Sequence, residues 1–266
     1  MSTTSTGLPE EDVNLLLPGR SLPAGAGWDW IAGGWRLFLG APLMWIMALI
    51  ILFIVFVAIG IVPILGTIAV QLLQPVAAAG LIVASHSLDR GGNFELEHLF
   101  AGFKRNFGNL VIVGLLFMLG GLVIVLICVA MVAMTVGTAI LGTLGDPNQM
   151  VNAAAGSILM ILLALLVMLA LLVPLLAAYW FAPALVVMHN VQPVAAMRES
   201  FFACMRNFMP FLVYGIVLLP LSIVAAIPIG LGYLVLIPVV FASTYVSYRQ
   251  IFTYETAAPT VLAPGS

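Results

Sequence analysis

The chain of 266 residues is 64% hydrophobic and 7% charged, with a mean hydropathy of +1.24 and a formal net charge of −2. A soluble globular domain carries about 25% charged residues, so this composition excludes one, and the lack of any basic tract excludes a nucleic-acid partner. What remains is an all-α polytopic membrane protein.

Residues 1–27 are rich in Ser, Thr, Pro and Gly and carry the acidic trio Glu10, Glu11 and Asp12. They are expected to be a disordered tail. They are expected to stay uncleaved, because the first apolar run begins only near Pro42 and no basic region follows Met1. Within a single membrane domain over 28–255, six apolar runs predict spans at about 42–62, 64–85, 110–141, 153–188, 210–227 and 231–250. Pro- and Gly-rich turns at 60–66 and 228–232 close the first and third hairpins, and the longer polar turn 143–156 closes the second. Residues 256–266 form a second disordered tail. The third and fourth spans are too long: about 32 residues rise about 48 Å, against a hydrocarbon core of about 30 Å. They must tilt, kink at Gly120-Gly121 or Pro174, or project beyond the membrane.

All eight basic residues fall on one side of this model: Arg20, Arg36, Arg90, Lys104, Arg105, Arg198, Arg206 and Arg249. Basic loops stay in the cytoplasm, so both termini are expected there.

Aligning the chain on Phe38, Phe107 and Phe208 brings Arg36, Arg105 and Arg206 into register. The chain thus divides into three units of surface helix, span, turn and span. Wound at 100° per residue, the surface segments carry apolar stripes: Trp28, Ile31, Trp35 and Phe38; Leu96, Phe100, Phe103 and Phe107; Val194, Met197, Phe201, Met205 and Phe208. These predict short amphipathic helices lying in the membrane interface. Asn93 is expected to cap the second, with Glu95 and Glu97 at its positive end, and Pro193 to open the third. The segments can serve anchoring and orientation alone. Alternatively Arg36, Arg105 and Arg206, with Trp35, Phe107 and Phe208, form a site for lipid headgroups or a membrane-protein partner.

Thr67, Gln71 and Gln74 share one stripe of the second span beside Pro75 and are expected to face the bundle interior, as interhelical glue or as a polar substrate path. His86, Asp89, Arg90, His189 and Asn190 follow the second and fourth spans, but no metal-binding or nucleophile motif accompanies them, and no cofactor or enzymatic activity is expected. Cys128 lies within a span and Cys204 near a surface, which predicts no disulfide.

The segments LPAGAGWDWIAGGWRLF, GGNFELEHLFAGFKRNFG and SYRQIF resemble a family of uncharacterised proteobacterial inner-membrane proteins over residues 20–255. More distantly the chain is similar to the membrane domain of bacterial glycerophosphodiester phosphodiesterases, without their catalytic domain. The resemblance implies a six-helix inner-membrane domain and transfers no functional residue. The expected function is a non-catalytic protein that organises lipid or partner proteins through its surface helices; the alternative is a transporter or channel for a small molecule, amphiphiles included.

Overall fold

The computed structural model describes residues 14–145 and 150–254. A two-residue strand β1 (Asn14–Leu15) precedes helices α1 (Ala26–Gly40), α2 (Pro42–Gly60) and α3 (Leu65–Asp89). A 3-10 turn (Leu96–Phe100) leads into α4 (Ala101–Lys104), α5 (Phe107–Gly145), α6 (Met150–Trp180) and α7 (Ala182–His189). The third unit holds α8 (Pro193–Arg206), α9 (Phe208–Ala226) and α10 (Tyr233–Phe252), and β2 (Thr253–Tyr254) follows. Among the described residues six helices are long and apolar enough to cross a membrane. The protein is an all-α, multi-pass membrane fold. Part of the 143–156 turn and all of 256–266 lie outside the described residues, as do residues 1–13.

The fourth span divides at a place the sequence did not advertise. Pro174 sits inside α6, and the break falls at Phe181, two residues before Pro183. Ser200 of α8 inserts into the break. Its hydroxyl accepts the Phe181 N–H at 2.9 Å and donates to the Ala177 carbonyl at 2.6 Å. Those two groups would have bonded to each other in an unbroken helix, so the serine satisfies what the break releases.

Each surface helix packs against the second span of the preceding unit, in a cycle. The 3-10 turn and α4 lie on α3, α8 lies on α6, and α1 closes the ring on α10 and α9. Small residues make these contacts. A Cβ on Gly102 would stand 2.3 Å from the Val76 carbonyl, and one on Gly34 would stand 2.6 Å from the Val239 carbonyl. The interfacial picture therefore needs correction for α1. Its buried side is Trp30, Ile31, Gly33, Gly34 and Phe38, whereas Trp28 and Trp35 of the expected stripe point outward, 58% and 45% exposed. Close backbone approach through glycines is the usual means of helix association in a membrane, and it selects the Gly face rather than the Trp face. In the second segment Phe103 stacks on Phe107 at 5.5 Å with both rings exposed. The cap there is Glu95, not Asn93: Glu95 and His98 form a reciprocal capping box. Pro193 opens α8 as expected.

The expectation of disorder over 1–27 fails for its described part. Residues 14–25 run as a strap across the bundle end. β1 pairs antiparallel with β2, and Arg206 donates from Nη1 to the Pro18 and Gly19 carbonyls at 2.7 Å each. Asn207, wholly buried, accepts the Leu22 N–H at 2.8 Å and donates to the Arg20 carbonyl at 3.0 Å. The Ser-, Thr-, Pro- and Gly-rich sequence of 1–27 reads as disordered because the partners that order the strap lie about 190 residues away.

Candidate functional site at the basic end of the bundle

The C-terminal ends of α3, α7 and α10 meet beneath the strap. Between them opens a cavity of about 430 Å³, walled chiefly by Arg20, His86, Arg90, Tyr245, Tyr248 and Arg249. Each wall has a local cause. Arg90 is the C-cap of α3 and Arg249 lies in the last turn of α10. Helix C-termini favour cations there by about 0.3–1 kcal/mol each. Arg20 belongs to neither helix; the strap carries it in, and its guanidinium donates to the Thr253 carbonyl.

A hydrogen-bond chain fixes the floor. The Tyr245 hydroxyl donates to Asp89 Oδ2 at 3.0 Å and lies 3.0 Å from His86 Nδ1. A phenol has one proton, so His86 must be the donor in the second bond, which places its proton on Nδ1. Asp89 also receives Arg249 in an ion pair. Asp89 is thereby engaged from two sides. The Arg90 guanidinium, by contrast, makes no hydrogen bond or ion pair with a described residue. The Tyr248 hydroxyl is buried without a partner among the described residues, although the residue lines the cavity. Such an orphan costs about 1–3 kcal/mol and is an unused donor. Trp30 Nε1 donates to Gln250 Oε1 at 2.9 Å and ties α1 to the same wall.

The arginines that converge are therefore Arg20, Arg90 and Arg249. Arg36 and Arg105 are exposed on the outer faces of their own segments, as are Trp35, Phe107 and Phe208. Arg206 spends its guanidinium on the strap. The three register arginines share no site; they hold equivalent places on three separated segments. The signal that was overlooked is the tripeptide Arg-Asn-Phe, which occurs at 105–107 and 206–208. Its asparagine makes the cross-link each time: Asn106 donates to the Val186 carbonyl at 3.0 Å, as Asn207 does to Arg20. Lys104 bonds to Glu97 on the surface and holds that carboxyl below the ordinary glutamate range, chiefly through the hydrogen bond.

The glutamine stripe also lands elsewhere than expected. Gln74 is exposed toward a second, apolar cavity of about 300 Å³ between α2, α3 and α10, walled by residues such as Phe53, Phe56, Leu81 and Phe241. Thr67 is exposed and Gln71 half-buried. Pro75, beside them, is the residue that turns inward. Among the described residues no group of three or more His, Cys, Asp or Glu is placed to hold a metal ion, although His86 and His189 both reach the basic end, stacking near Tyr245 and Tyr248. Cys128 and Cys204 are free thiols.

No family model matches the chain, and no solved structure matches it. A protein of Burkholderia thailandensis described as a probable inner membrane protein is 30% identical over 259 residues, covering 89% of this chain and 94% of that one. The distant likeness to glycerophosphodiester phosphodiesterases finds no support in these comparisons. The match covers most of both chains, and the chain belongs to this family of multi-pass inner membrane proteins.

Proposed function

We propose that this inner membrane protein is a non-catalytic binding protein that holds an anionic lipid by its headgroup at the cytoplasmic end of the bundle. One observation carries the reading: Arg20, Arg90 and Arg249 converge on a cavity of about 430 Å³ at the basic end of the bundle. Small-molecule sites commonly occupy about 300–1,000 Å³, and guanidinium groups suit phosphate oxygens because of their forked donor geometry. The basic residues gathered at this end support a cytoplasmic orientation for it and for both termini.

The test is native mass spectrometry of the full chain in detergent after exposure to phosphatidylglycerol. Arg20→Gln with Arg90→Gln leaves the Arg249–Asp89 pair intact and is expected to lower retention at least about tenfold, equivalent to about 1.4 kcal/mol. Arg36→Gln with Arg105→Gln removes two charges outside the cavity and is expected to change nothing. Equal loss in both pairs would reduce the effect to general surface charge and sink the proposal.

Transport of an amphiphile has one observation in its favour, the cavity at Gln74. At 100° per residue, however, Gln74, Ala77, Ala78 and Leu81 face about 150° away from His86 and Arg90 on α3. The two cavities use opposite sides of the same helix, which favours two separate contacts over one path.

A further inference from the structure

The basic cavity has more positive charge and more unused donors than one phosphodiester needs. Three guanidinium groups stand against the single carboxylate of Asp89, leaving two positive charges. Asp89 accepts from both Arg249 and Tyr245, and it is not itself a wall of the cavity. The other ionisable walls, His86, Tyr245, Tyr248 and Tyr254, add no negative charge in their neutral forms. Helix C-termini draw on Arg90 and Arg249 to a limited extent, within the last turn. Arg20 arrives on the strap and answers no helix dipole.

The donors have the same surplus. A guanidinium offers five N–H groups. Arg20 and Arg249 each bond to one protein partner, Thr253 and Asp89 respectively, and Arg90 has none among the described residues. Tyr248 lines the cavity, and its hydroxyl, buried behind that wall, is a donor unpartnered among the described residues. A phosphomonoester carries about −1.5 to −2 charges at pH 7 and three terminal acceptor oxygens. A phosphodiester carries one charge and two such oxygens. Charge and donor count both match the monoester.

We propose that the cavity formed by Arg20, Arg90, Arg249 and Tyr248 selects a dianionic phosphomonoester over a phosphodiester. This rests on the anion-binding reading above and narrows its ligand class. The same group can be presented by a lipid such as phosphatidic acid or by a small soluble phosphate ester.

The experiment uses the full chain in nanodiscs of zwitterionic phosphatidylcholine doped with phosphatidic acid or with phosphatidylglycerol, scored by lipid retained on release, with glycerol 3-phosphate as soluble competitor. Phosphatidic acid is expected to be retained at least tenfold over phosphatidylglycerol. Arg90→Gln is expected to bring that ratio near one. Tyr248→Phe keeps the buried ring and removes only the unpartnered hydroxyl, so the fold persists while phosphatidic acid retention falls several-fold. Equal retention of the two lipids would overturn the selectivity and leave the anionic-lipid proposal standing. Retention of neither above phosphatidylcholine would overturn both. Competition by glycerol 3-phosphate at concentrations matching the lipid would uphold the phosphomonoester and overturn the lipid as its source. A preference for phosphatidic acid unmoved by Arg90→Gln and Tyr248→Phe would place dianion recognition elsewhere and overturn the assignment.

Discussion

Asn207→Ala is the sharpest perturbation of the strap. The side chain is wholly buried and makes three hydrogen bonds: it accepts the Leu22 N–H at 2.8 Å and donates to the carbonyls of Arg20 at 3.0 Å and Ala203 at 2.9 Å. Two of these bonds cross to the strap. At about 1 kcal/mol net for each hydrogen bond, their loss costs about 2 kcal/mol, provided the freed strap groups find water by peeling away. Arg206 and the β1–β2 pairing remain, so the strap loosens without being lost. An opening equilibrium shifted by about 2 kcal/mol rises about 30-fold. Trypsin cleavage after Arg20, followed by mass as the fragment beginning at Ser21, reports that opening, because proteolysis tracks the open population when reclosure is fast. Asn106→Ala is the matched control. Asn106 occupies the equivalent place in the second unit but reaches the Val186 carbonyl, so its loss should leave cleavage at Arg20 unchanged. Acceleration below about threefold for Asn207→Ala, or equal acceleration for both variants, would refute the anchoring role. Because Arg20 rides on the strap and lines the cavity, the same variant should also weaken anion retention.

Gly34→Ala and Gly215→Ala form an opposed pair. Alanine is favoured over glycine in a helix by about 1 kcal/mol, and the Gly215 site has nothing within 4 Å, so that variant should be neutral or stabilising. At Gly34 the new methyl would meet the Val239 carbonyl at 2.6 Å and the Ser243 nitrogen at 2.8 Å. Overpacking costs about 1–3 kcal/mol, and unfolding midpoints in mild detergent should fall for Gly34→Ala; the reverse order would disprove the close packing of α1 on α10. Burial pushes the Cys204 thiol up to about 12, against a smaller opposing contribution from Ser200. At pH 8 it should resist maleimide in the folded protein and react after unfolding; prompt labelling of the folded chain would show that α8 does not seal on α6.

The membrane class, the six spans and the threefold internal repetition were legible because each is written in local composition. Apolar runs of membrane length and basic residues at alternate loops need no knowledge of distant contacts. The burial direction of the surface helices was legible only in part. Helical periodicity finds an apolar stripe, but α1 has two candidate faces, one rich in Trp and one rich in Gly, and hydrophobicity ranks the wrong one first. The choice is made by how close the α10 backbone comes, which a hydropathy pattern does not encode. The same limit explains the site. Phe107 and Phe208 stand out in a repeat alignment because their rings are conspicuous, yet both face outward. Asn106 and Asn207, one residue earlier, do the joining. Arg20 sat in a stretch that looks disordered by composition, and its role depends on Asn207 far along the chain.

The cyclic packing explains why the cavity forms where it does. Each surface helix clamps the second span of the preceding unit, so the second spans are held and the ends of α3, α7 and α10 are brought together at one place. Residues that end these helices, His86 to Arg90, His189, and Tyr245 to Arg249, become neighbours although the outermost lie about 160 residues apart in sequence. Repetition alone would have produced three equivalent corners. What breaks the symmetry is the strap: it crosses only the corner where α1 closes onto α10, brings a third arginine there, and is anchored by the asparagine of the third unit. The second unit carries the same Arg-Asn-Phe element but uses its asparagine to hold α7. One repeated device thus does two jobs, fixing a helix in one unit and mounting the Arg20 wall of the cavity in another.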